Sequence, residues 1–168
     1  MSDLKQYIRD IPDFPKAGIL FRDISPLLRH HFDKVIVTLA GLLSEPEWAS
    51  VDAIAGIEAR GFVLASALAQ HQQKGFVPIR KEGKLPPPVV RKAYDLEYGN
   101  ATLEVAAGEG RLIIVDDVLA TGGTMSAAAE LATQAGYEVT ALVSLIELGL
   151  VRDFKWKHLS VRTAIVYP

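Results

Sequence analysis

A strand–helix–strand pattern in the second half of the chain is the strongest constraint on its fold. The β-branched run RLIIVDDV is followed by a helix-like segment, GTMSAAAELATQAG, and then by a second strand-like run, EVTALVSLIEL. This order and spacing predict a βαβ unit, in which two parallel strands are joined by a crossover helix. VDAIAG followed by FVLASALAQHQQ repeats the pattern, and FVPIR and RTAIVY supply further strands. The sequence therefore predicts an α/β fold with a central, mostly parallel sheet flanked by helices.

The spacing of hydrophobic residues predicts the bounds of two helices. Residues 122–135 put Met125, Leu131 and several alanines largely on one apolar side, and Gly136 follows as a helix terminator. Residues 32–44, FDKVIVTLAGLLS, form a second amphipathic segment whose valine and leucines recur at helical spacing. We expect both helices to pack an apolar face against the core.

The length and composition of the chain fit one compact domain, residues 1–168. The chain has 168 residues, 49% of them hydrophobic, and a chain of this size buries about two-thirds of its unfolded surface. Two segments lack clear periodicity: residues 1–31, and residues 81–103, which are rich in proline and charge. Long irregular segments in a compact domain are usually functional or disordered, so both are candidates for a functional role.

Charge and cysteine content exclude several classes of partner. The net charge of −2 is spread without long like-charge runs, so nothing favours nonspecific binding to nucleic acid or to an anionic membrane. The chain has no cysteine, which excludes disulfides and thiolate metal sites, and no apolar run approaches the ~18 residues of a membrane span. Metal-ligand spacing is absent from its four histidines, His30, His31, His71 and His158. These features predict a cytoplasmic protein that acts on small molecules.

The segment LIIVDDVLATGGT, residues 112–124, carries the clearest chemistry in the sequence. In open α/β sheets ligands bind beyond the carboxyl ends of the strands, where Asp116 and Asp117 would lie. The glycines that follow let backbone N–H groups turn inward, Thr121 and Thr124 add hydroxyl donors, and the N-terminus of the next helix favours an anion. Two acceptors beside a cradle of donors suit a ribose 5-phosphate. Taken separately, each half of the segment has an equally good structural interpretation. The aspartates could be a solvated strand end, and TGGT could be an ordinary turn.

The whole string LIIVDDVLATGGT resembles the phosphoribosyl-diphosphate signature of the type I phosphoribosyltransferase family. Four further segments resemble the adenine-specific members of that family in their order and spacing: IPDFPKAGILFRDISPLL, GIEARGF, RKEGKLP and LEYGNATLEV. The resemblance covers nearly the whole chain. It implies the type I phosphoribosyltransferase fold, with residues 1–31 as an N-terminal hood and residues 81–103 as a flexible flap.

The resemblance also implies a reaction, a cofactor and an assembly. Adenine and 5-phospho-α-D-ribose 1-diphosphate would give AMP and diphosphate, with Mg²⁺ bound mainly through the diphosphate substrate. Diphosphate would leave the anomeric carbon through an oxocarbenium-like state, and the protein would be a homodimer. Two alternatives stay open: a related transferase for another base, such as xanthine or orotate, and a regulator that only senses the activated sugar or a nucleotide.

Within this resemblance the sugar and its phosphates have candidate ligands. Asp116 and Asp117 would hold the ribose hydroxyls and stabilise positive charge on the ring. The 5-phosphate would lie in a loop formed by Ala120, Thr121, Gly122, Gly123 and Thr124. The diphosphate would meet a loop formed by Glu58, Ala59, Arg60 and Gly61. The Arg60 guanidinium offers this anion a fork of donors, although without the resemblance an exposed Arg60–Glu58 pair is the simpler interpretation.

A basic cluster follows the strand-like run FVPIR. The resemblance implies that Arg80, Lys81 and Lys84 complete the diphosphate site, with Arg80 reaching into the neighbouring subunit's site in a dimer. From the residues alone, a solvated basic turn is the alternative.

The hood would select the base. Phe21 offers a flat ring to stack on a purine, and the backbone at Leu20 and Arg22 could pair with the amino group of adenine and the adjacent ring nitrogen. A position in the hydrophobic core is the alternative for Phe21.

The flap would close the site and handle a proton. In the resemblance, Glu97 of LEYG acts on the proton of adenine's ring nitrogen, and Tyr98 helps to exclude water. Glu104 is a rival for the same role at a predicted strand position, and a merely solvated Glu97 is the alternative.

Overall fold

The structure, a computed structural model, describes residues 4–96, 99–151 and 153–168. Its α-helices are α1 (Ser25–Ala40), α2 (Glu45–Ala49), α3 (Arg60–His71) and α4 (Gly123–Gln134). Its strands are β1 (Arg9–Pro12), β2 (Leu20–Asp23), β3 (Ala53–Ile57), β4 (Gly75–Lys81), β5 (Val89–Leu96), β6 (Gly99–Ala106), β7 (Arg111–Leu119), β8 (Glu138–Glu147), β9 (Lys155–Trp156) and β10 (Leu159–Val166). None of the described helices is long and apolar enough to cross a membrane.

Eight of these strands form one sheet in the order β5-β6-β4-β3-β7-β8-β10-β9, and β1 and β2 form a separate antiparallel hairpin. The central strands β4, β3, β7, β8 and β10 run parallel to one another. The edges are antiparallel, because β6 pairs with β4 and β5, and β9 pairs with β10. Both predicted βαβ units are present, as β3-α3-β4 and β7-α4-β8. The prediction of a mostly parallel α/β sheet is confirmed.

Both faces of the sheet are buried, because helices cover each of them. Strand β7 shows this most clearly, since alternate residues of a strand point to opposite faces. Ile113 and Val115 join a cluster with α1 and α3, whereas Leu112 and Ile114 join a cluster with α4. All of these β7 side chains are fully buried, which explains the continuous apolar run that predicted the strand.

The predicted helices agree with the structure to different degrees. Helix α4 lies within one residue of the predicted bounds at each end, and Gly136 follows it with a φ of 106°. Helix α1 begins at Ser25 instead of residue 32, because the apolar pattern marks only the part after His31, whose φ of −141° is non-helical. It also ends before residue 44. Ser44 instead caps the N-terminus of α2, where its backbone N–H donates to Glu47 Oε2 at 2.8 Å.

The two segments that lack periodicity in the sequence both contain strands. Residues 1–31 include the β1–β2 hairpin, and residues 81–103 include β5 and part of β6. Only residues 13–19 and 82–88 of these segments are irregular among those described between the strands, so the segments are more regular than expected. The sequence did not predict β5 because this edge strand carries charged residues that pair with other elements. Lys92 Nζ lies 2.7 Å from Glu130 Oε2 of α4, and Arg91 Nε lies 3.2 Å from Glu104 Oε2 of β6. We call β5 and β6 together the flap hairpin.

Gly56 in β3 lets α3 pack directly against the sheet. A Cβ at this position would lie 2.8 Å from Ala65 Cβ and 2.8 Å from the Gly61 carbonyl O, both in α3. We therefore expect Gly56→Ala to lower the free energy of unfolding by about 1–3 kcal/mol, the usual cost of overpacking. Gly41→Ala is the matched control, because its Cβ would meet nothing closer than 3.5 Å. Urea denaturation measures both variants, and equal stabilities would contradict the close packing.

Candidate active site

Polar side chains gather where neighbouring parallel strands end. Strand β3 leads into Glu58 and Arg60, β4 ends at Lys81, and β7 carries Asp116 and Asp117 near its carboxyl end. These strands are adjacent in the order β4-β3-β7, so their carboxyl ends lie along one edge of the sheet. In open α/β sheets this edge is where ligands bind. The structure thus brings together segments that lie far apart in the sequence.

The acidic pair, Asp116 and Asp117, occupies a largely buried position. Asp117 is 7% exposed, and its backbone N–H donates to Asp116 Oδ1 at 2.9 Å. Burial, reinforced by the charge of Asp117, raises the pKa of the Asp116 carboxyl well above its usual range. Arg60 Nε lies 2.7 Å from Asp117 Oδ2 as an ion pair without hydrogen-bonding geometry, and no described residue donates a hydrogen bond to that oxygen. This oxygen is buried against the Arg60 guanidinium, so a ligand that donates a hydrogen bond to it would displace that ion pair.

Arg60 reaches the acidic pair because α3 begins directly against β7. Ala59 precedes the helix, and Arg60 and Gly61 form its first turn. A Cβ on Gly61 would lie 3.0 Å from Asp116 Oδ1 and 3.0 Å from the Val115 carbonyl O. A side chain here would force Asp116 or the β7 backbone to shift by a few tenths of an ångström, so Gly61 permits this close approach of α3 to the aspartates.

The Glu58 side chain contacts strand β4 and does not pair with Arg60. Its Oε2 accepts a hydrogen bond from the Lys81 backbone N–H at 2.9 Å and another from Arg80 Nε at 3.2 Å. The hydrogen bond from the Lys81 N–H is the main reason why the pKa of Glu58 is lowered, although burial alone would raise it. Since Arg60 pairs with Asp117, the alternative of an exposed Arg60–Glu58 pair was wrong. The Glu58 carboxylate ties the end of β3 to the end of β4.

The basic cluster after β4 divides into a bound arginine and two exposed lysines. Arg80 Nη1 donates to the Lys84 carbonyl O at 3.4 Å, and its guanidinium carbon lies 5.7 Å from the centre of the Phe62 ring. Lys81 and Lys84 are exposed. Arg80 is therefore positioned by contacts within its own chain, whereas the lysines extend from the edge where the strands end.

The loop of residues 120–124 has two distinct sides. Thr121 and Gly123 are exposed, whereas Gly122 between them is buried and has a φ of 85°. This left-handed conformation favours glycine, and it turns the chain into the N-terminus of α4. The first N–H groups of a helix have no partner within it, and they favour an anion. The loop therefore offers donors on its exposed side.

A cavity of about 680 Å³ joins this loop to the hood. Its lining comprises Gly18, Ile19, Leu20, Arg22, Asp95, Ala120, Thr121, Gly123, Thr124, Leu148 and Leu150. The hood, the flap hairpin, the 120–124 loop and the connection after β8 thus meet around one space. The volume lies in the range of small-molecule and cofactor sites.

The side chains of the hood that were singled out in the sequence are held in place. The Phe21 ring packs edge-on against Phe14 with ring centres 5.2 Å apart, and the Arg60 guanidinium carbon lies 5.4 Å from the Phe21 ring centre. Phe21 is half-buried and belongs to neither of the two core clusters, so the alternative of a core aromatic was wrong. The Arg22 guanidinium lies over the Tyr167 ring at 4.0 Å.

The sequence did not predict Asp95, Leu148 and Leu150 as residues of this cavity. Leu148 and Leu150 follow the carboxyl end of β8, the neighbour of β7, and Leu150 is 64% exposed. The rule that pointed to the aspartates of β7 also covers this neighbouring strand end, so the two leucines could have been found. The position of Asp95 in the cavity depends on how the flap hairpin folds back toward the 120–124 loop. No local sequence pattern predicts that position.

Glu97 and Tyr98 lie outside the described residues, so their predicted roles stay predictions. The preceding part of the flap hairpin lies close to the 120–124 loop. A Cβ on Gly123 would lie 3.7 Å from the Asp95 carbonyl O. Strand β5 therefore brings Asp95 to the rim of the cavity.

Glu104 is fully buried at the base of the flap hairpin. Its Oε1 accepts from the backbone N–H groups of Lys84 at 2.7 Å and Leu85 at 2.6 Å, and its Oε2 accepts from Arg91 Nε at 3.2 Å. Burial disfavours the charge, but these donors outweigh it and lower the pKa of Glu104 to about 2. A carboxylate saturated with donors is suited to holding the hairpin, not to exchanging protons with a ligand.

Comparisons with known proteins agree on one family. Residues 27–161 match the phosphoribosyl transferase domain family. The adenine phosphoribosyltransferase of Hydrogenovibrio crunogenus is 48% identical over 165 residues, which cover 98% of this chain and 96% of that protein. A solved adenine phosphoribosyltransferase from Thermoanaerobacter pseudethanolicus has a TM-score of 0.87 at 39% identity, covering 98% of both chains. Another, from Saccharomyces cerevisiae in complex with an imino-altritol bisphosphate and adenine, has a TM-score of 0.87 at 36% identity, covering 96% of both chains.

The buried carboxylate of Glu104 predicts a specific loss of stability in acid. Its pKa lies near 2 in the folded protein, below the ordinary 4.5, so its charge stabilises the fold above pH 4.5. That contribution is lost as the pH falls toward 2. We expect Glu104→Gln to lower the free energy of unfolding at pH 7, and the gap from wild type to shrink on acidification. Denaturant titrations across this pH range measure the gap.

Glu82→Gln is the matched control for this variant. Glu82 faces the same arginine, with Arg91 Nε 3.7 Å from its Oε1, but its side chain is 57% exposed. We expect it to be near wild type at every pH, because exposed pairs contribute little. A Glu104→Gln variant as stable as Glu82→Gln at pH 7 would contradict the structural role.

Proposed function

The chain belongs to the phosphoribosyltransferase family and, within it, to the adenine phosphoribosyltransferases, and we propose that it makes AMP in purine salvage. It transfers the 5-phosphoribosyl group of 5-phospho-α-D-ribose 1-diphosphate to adenine and releases diphosphate. The type I phosphoribosyltransferase fold implied by the sequence is confirmed. One observation carries the proposal: the acidic pair ends the strand that leads into the 120–124 loop, and this loop shares a cavity with the hood.

The acidic pair would hold the ribose. The ring hydroxyls are donors, and the buried Asp117 Oδ2 has an ion-pair partner but no hydrogen-bond donor among the described residues. Positive charge develops on the ring as diphosphate leaves, and a buried negative pair stabilises that charge more than an exposed one does. The raised pKa of Asp116 indicates how unfavourable the second charge is in the absence of such partners. The sugar would therefore supply what the pair lacks.

The 120–124 loop would hold the 5-phosphate. Its exposed side presents Thr121 and Thr124, whose hydroxyl groups can donate, together with the backbone at the start of α4. Charge-assisted hydrogen bonds from several such donors suit a phosphate dianion. The acidic pair directly precedes this loop in the sequence. A sugar whose hydroxyls bind the pair could therefore place its phosphate at the loop.

The diphosphate would leave toward the ends of β3 and β4. Arg60 already stands beside the acidic pair, and Lys81 and Lys84 add exposed cations. Mg²⁺ usually binds through one or two carboxylates together with substrate phosphates and water, and it would neutralise charge on the leaving group. Asp117 Oδ2 already faces the Arg60 guanidinium, so we propose that Mg²⁺ is held mainly by oxygens of the diphosphate substrate.

A homodimer is the assembly that we propose. Val63 of α3 and Phe76 of β4 are exposed apolar side chains, and Phe62 packs edge-on against Phe76 with ring centres 5.7 Å apart. This patch lies beside Arg80, the residue expected to reach a neighbouring subunit. Within one chain Arg80 is bound to Glu58, so its reach into a partner's site stays a prediction. The cytoplasmic location also stays a prediction.

Adenine would lie between the hood and the connection after β8. Leu20 and Leu150 give the cavity apolar surface on two sides, and Phe21 stands next to Arg60 near the sugar site. The backbone at Leu20 and Arg22 would pair with the amino group and the adjacent ring nitrogen. A 6-oxopurine presents the opposite pattern of donors and acceptors, so it would leave groups unpaired at about 1–3 kcal/mol each.

The flap would supply the remaining chemistry. We propose Glu97 as the group that handles the proton of adenine's ring nitrogen, and Tyr98 as a residue that closes the site. The approach of Asp95 to the 120–124 loop supports a flap tip near the substrates. Glu104, saturated with donors, is unsuited to the same role.

A panel of bases tests the proposed function. Adenine, hypoxanthine, guanine and orotate are each offered with 5-phospho-α-D-ribose 1-diphosphate and Mg²⁺, and diphosphate release is measured. We expect turnover with adenine and a kcat/KM at least about tenfold lower for each other base, the cost of one unpaired group. A preference for a 6-oxopurine or orotate would favour a related transferase. Ligand-stabilised folding without turnover of any base would favour a sensor of the sugar.

The double variant Asp116→Asn with Asp117→Asn tests the role of the acidic pair. It keeps the shape of both side chains but removes the charge that stabilises the sugar. We expect kcat/KM for the activated sugar to fall by about 100-fold or more, the scale of one lost electrostatic group, with the fold unchanged by circular dichroism. Glu109→Gln, an exposed acid outside the cavity lining, is the control. Wild-type kinetics in the double variant would refute the role.

A further inference from the structure

The connection between β8 and β9 touches the 120–124 loop on two sides. Its first residues, Leu148 and Leu150, line the ligand cavity. Its last residue, Phe154, lies against Gly122. The connection (residues 148–154, of which residue 152 is not described) therefore contributes both to the cavity and to the support of the loop that borders it.

Phe154 occupies the space where a side chain on Gly122 would be. A Cβ built on Gly122 would lie 2.1 Å from Phe154 Cε2, 2.3 Å from Cδ2 and 2.9 Å from Cζ. No Cβ approaches other atoms so closely, so the ring edge rests directly on the glycine backbone. Gly122 also has a φ of 85°, a conformation that side chains disfavour. Ring contact and backbone conformation therefore coincide at one residue.

The contact is on the side of the loop that faces away from the ligand. The cavity lining includes Ala120, Thr121, Gly123 and Thr124, but not Gly122. Gly122 is buried, whereas Thr121 and Gly123 on either side of it are exposed. The loop thus presents its donors to the cavity and its central glycine to the phenyl ring.

The ring is itself anchored in the core. Phe154 is half-buried and packs against the hydrophobic cluster that includes Leu119, Met125 and Trp156. Leu119 ends β7 just before the loop, and Met125 lies in the first turn of α4 just after it. The ring therefore packs against the same cluster as the two elements that the loop connects, and it contacts Gly122 between them.

We propose that Phe154 is a positioning residue for the sugar phosphate, which holds Gly122 in its left-handed turn so that the loop's N–H groups point into the cavity. Glycine is conformationally permissive, and a loop that must be ordered on binding loses affinity for its ligand. A supporting ring removes that cost before the phosphate arrives. The inference rests on the proposed function, in which this loop takes the 5-phosphate.

Calorimetric titration of AMP and adenosine tests this role, because the two ligands differ only in the phosphate. For Phe154→Ala we expect AMP binding to weaken about tenfold, the value of about one charge-assisted hydrogen bond, with adenosine binding little changed. Phe154→Leu refills part of the space and should recover most of the affinity. It also keeps the test decisive if Phe154→Ala fails to fold.

Leu159→Ala is the matched control. Leu159 packs against the same hydrophobic cluster but does not line the cavity. We expect it to destabilise the protein while leaving the ratio of AMP to adenosine affinity at the wild-type value. A Phe154→Ala variant that weakens both ligands equally, or neither, would overturn the inference and leave the proposed function standing. A wild-type protein that binds AMP no better than adenosine would overturn both.

A double-mutant cycle tests the contact itself. Gly122→Ala places a Cβ against the ring, so we expect it to weaken AMP binding more in the wild-type background than in the Phe154→Ala background. The strain of the left-handed turn is common to both backgrounds and cancels. Strictly additive effects would show that the ring does not set the conformation of Gly122, and would overturn the inference.

Discussion

The candidate site depends on the close approach of α3 to β3 and β7. Gly56 and Gly61 have no side chains where the start of the helix meets these strands, so backbone lies against backbone. This contact carries Arg60 to the acidic pair, with 2.7 Å between Arg60 Nε and Asp117 Oδ2. A side chain at either glycine would displace α3, because a close-packed interior cannot absorb it. Packing and charge placement therefore depend on the same two residues.

The carboxylates at this edge of the sheet differ in how far the protein satisfies their charge. Glu58 and Glu104 accept hydrogen bonds from backbone N–H groups and from arginines, and these donors lower their pKa values. Asp116 is half-buried beside another aspartate, and its pKa is raised. Carboxylates saturated by protein donors hold strands and the flap hairpin together. The acidic pair, in which Asp117 Oδ2 accepts no hydrogen bond from the described residues, is the one suited to the sugar and to the positive charge of the transition state.

The sequence predicts those parts of the fold in which local pattern and burial agree. Strand β7 is buried on both faces, so its apolar run is continuous, and the strand-end rule placed the acidic pair at the ligand edge. The pairing of Arg60 with Asp117 was not predicted because it depends on the crossing of α3 and β7. The burial of Glu104 depends on pairing within the flap hairpin. The contact of Phe154 with Gly122 joins distant segments and leaves no periodic signal. Such tertiary contacts decide what each charged or aromatic residue does.

A crystal structure with AMP bound tests most directly whether this sheet edge receives a phosphorylated ribose. We expect the ribose hydroxyl oxygens to lie about 2.5–3.0 Å from carboxylate oxygens of the acidic pair, within hydrogen-bond distance. The phosphate oxygens should accept from the N–H groups of the 120–124 loop, with the purine beside the hood. A phosphate bound by Arg80 and Lys84 instead, with the acidic pair making no contact to the sugar, would contradict the account.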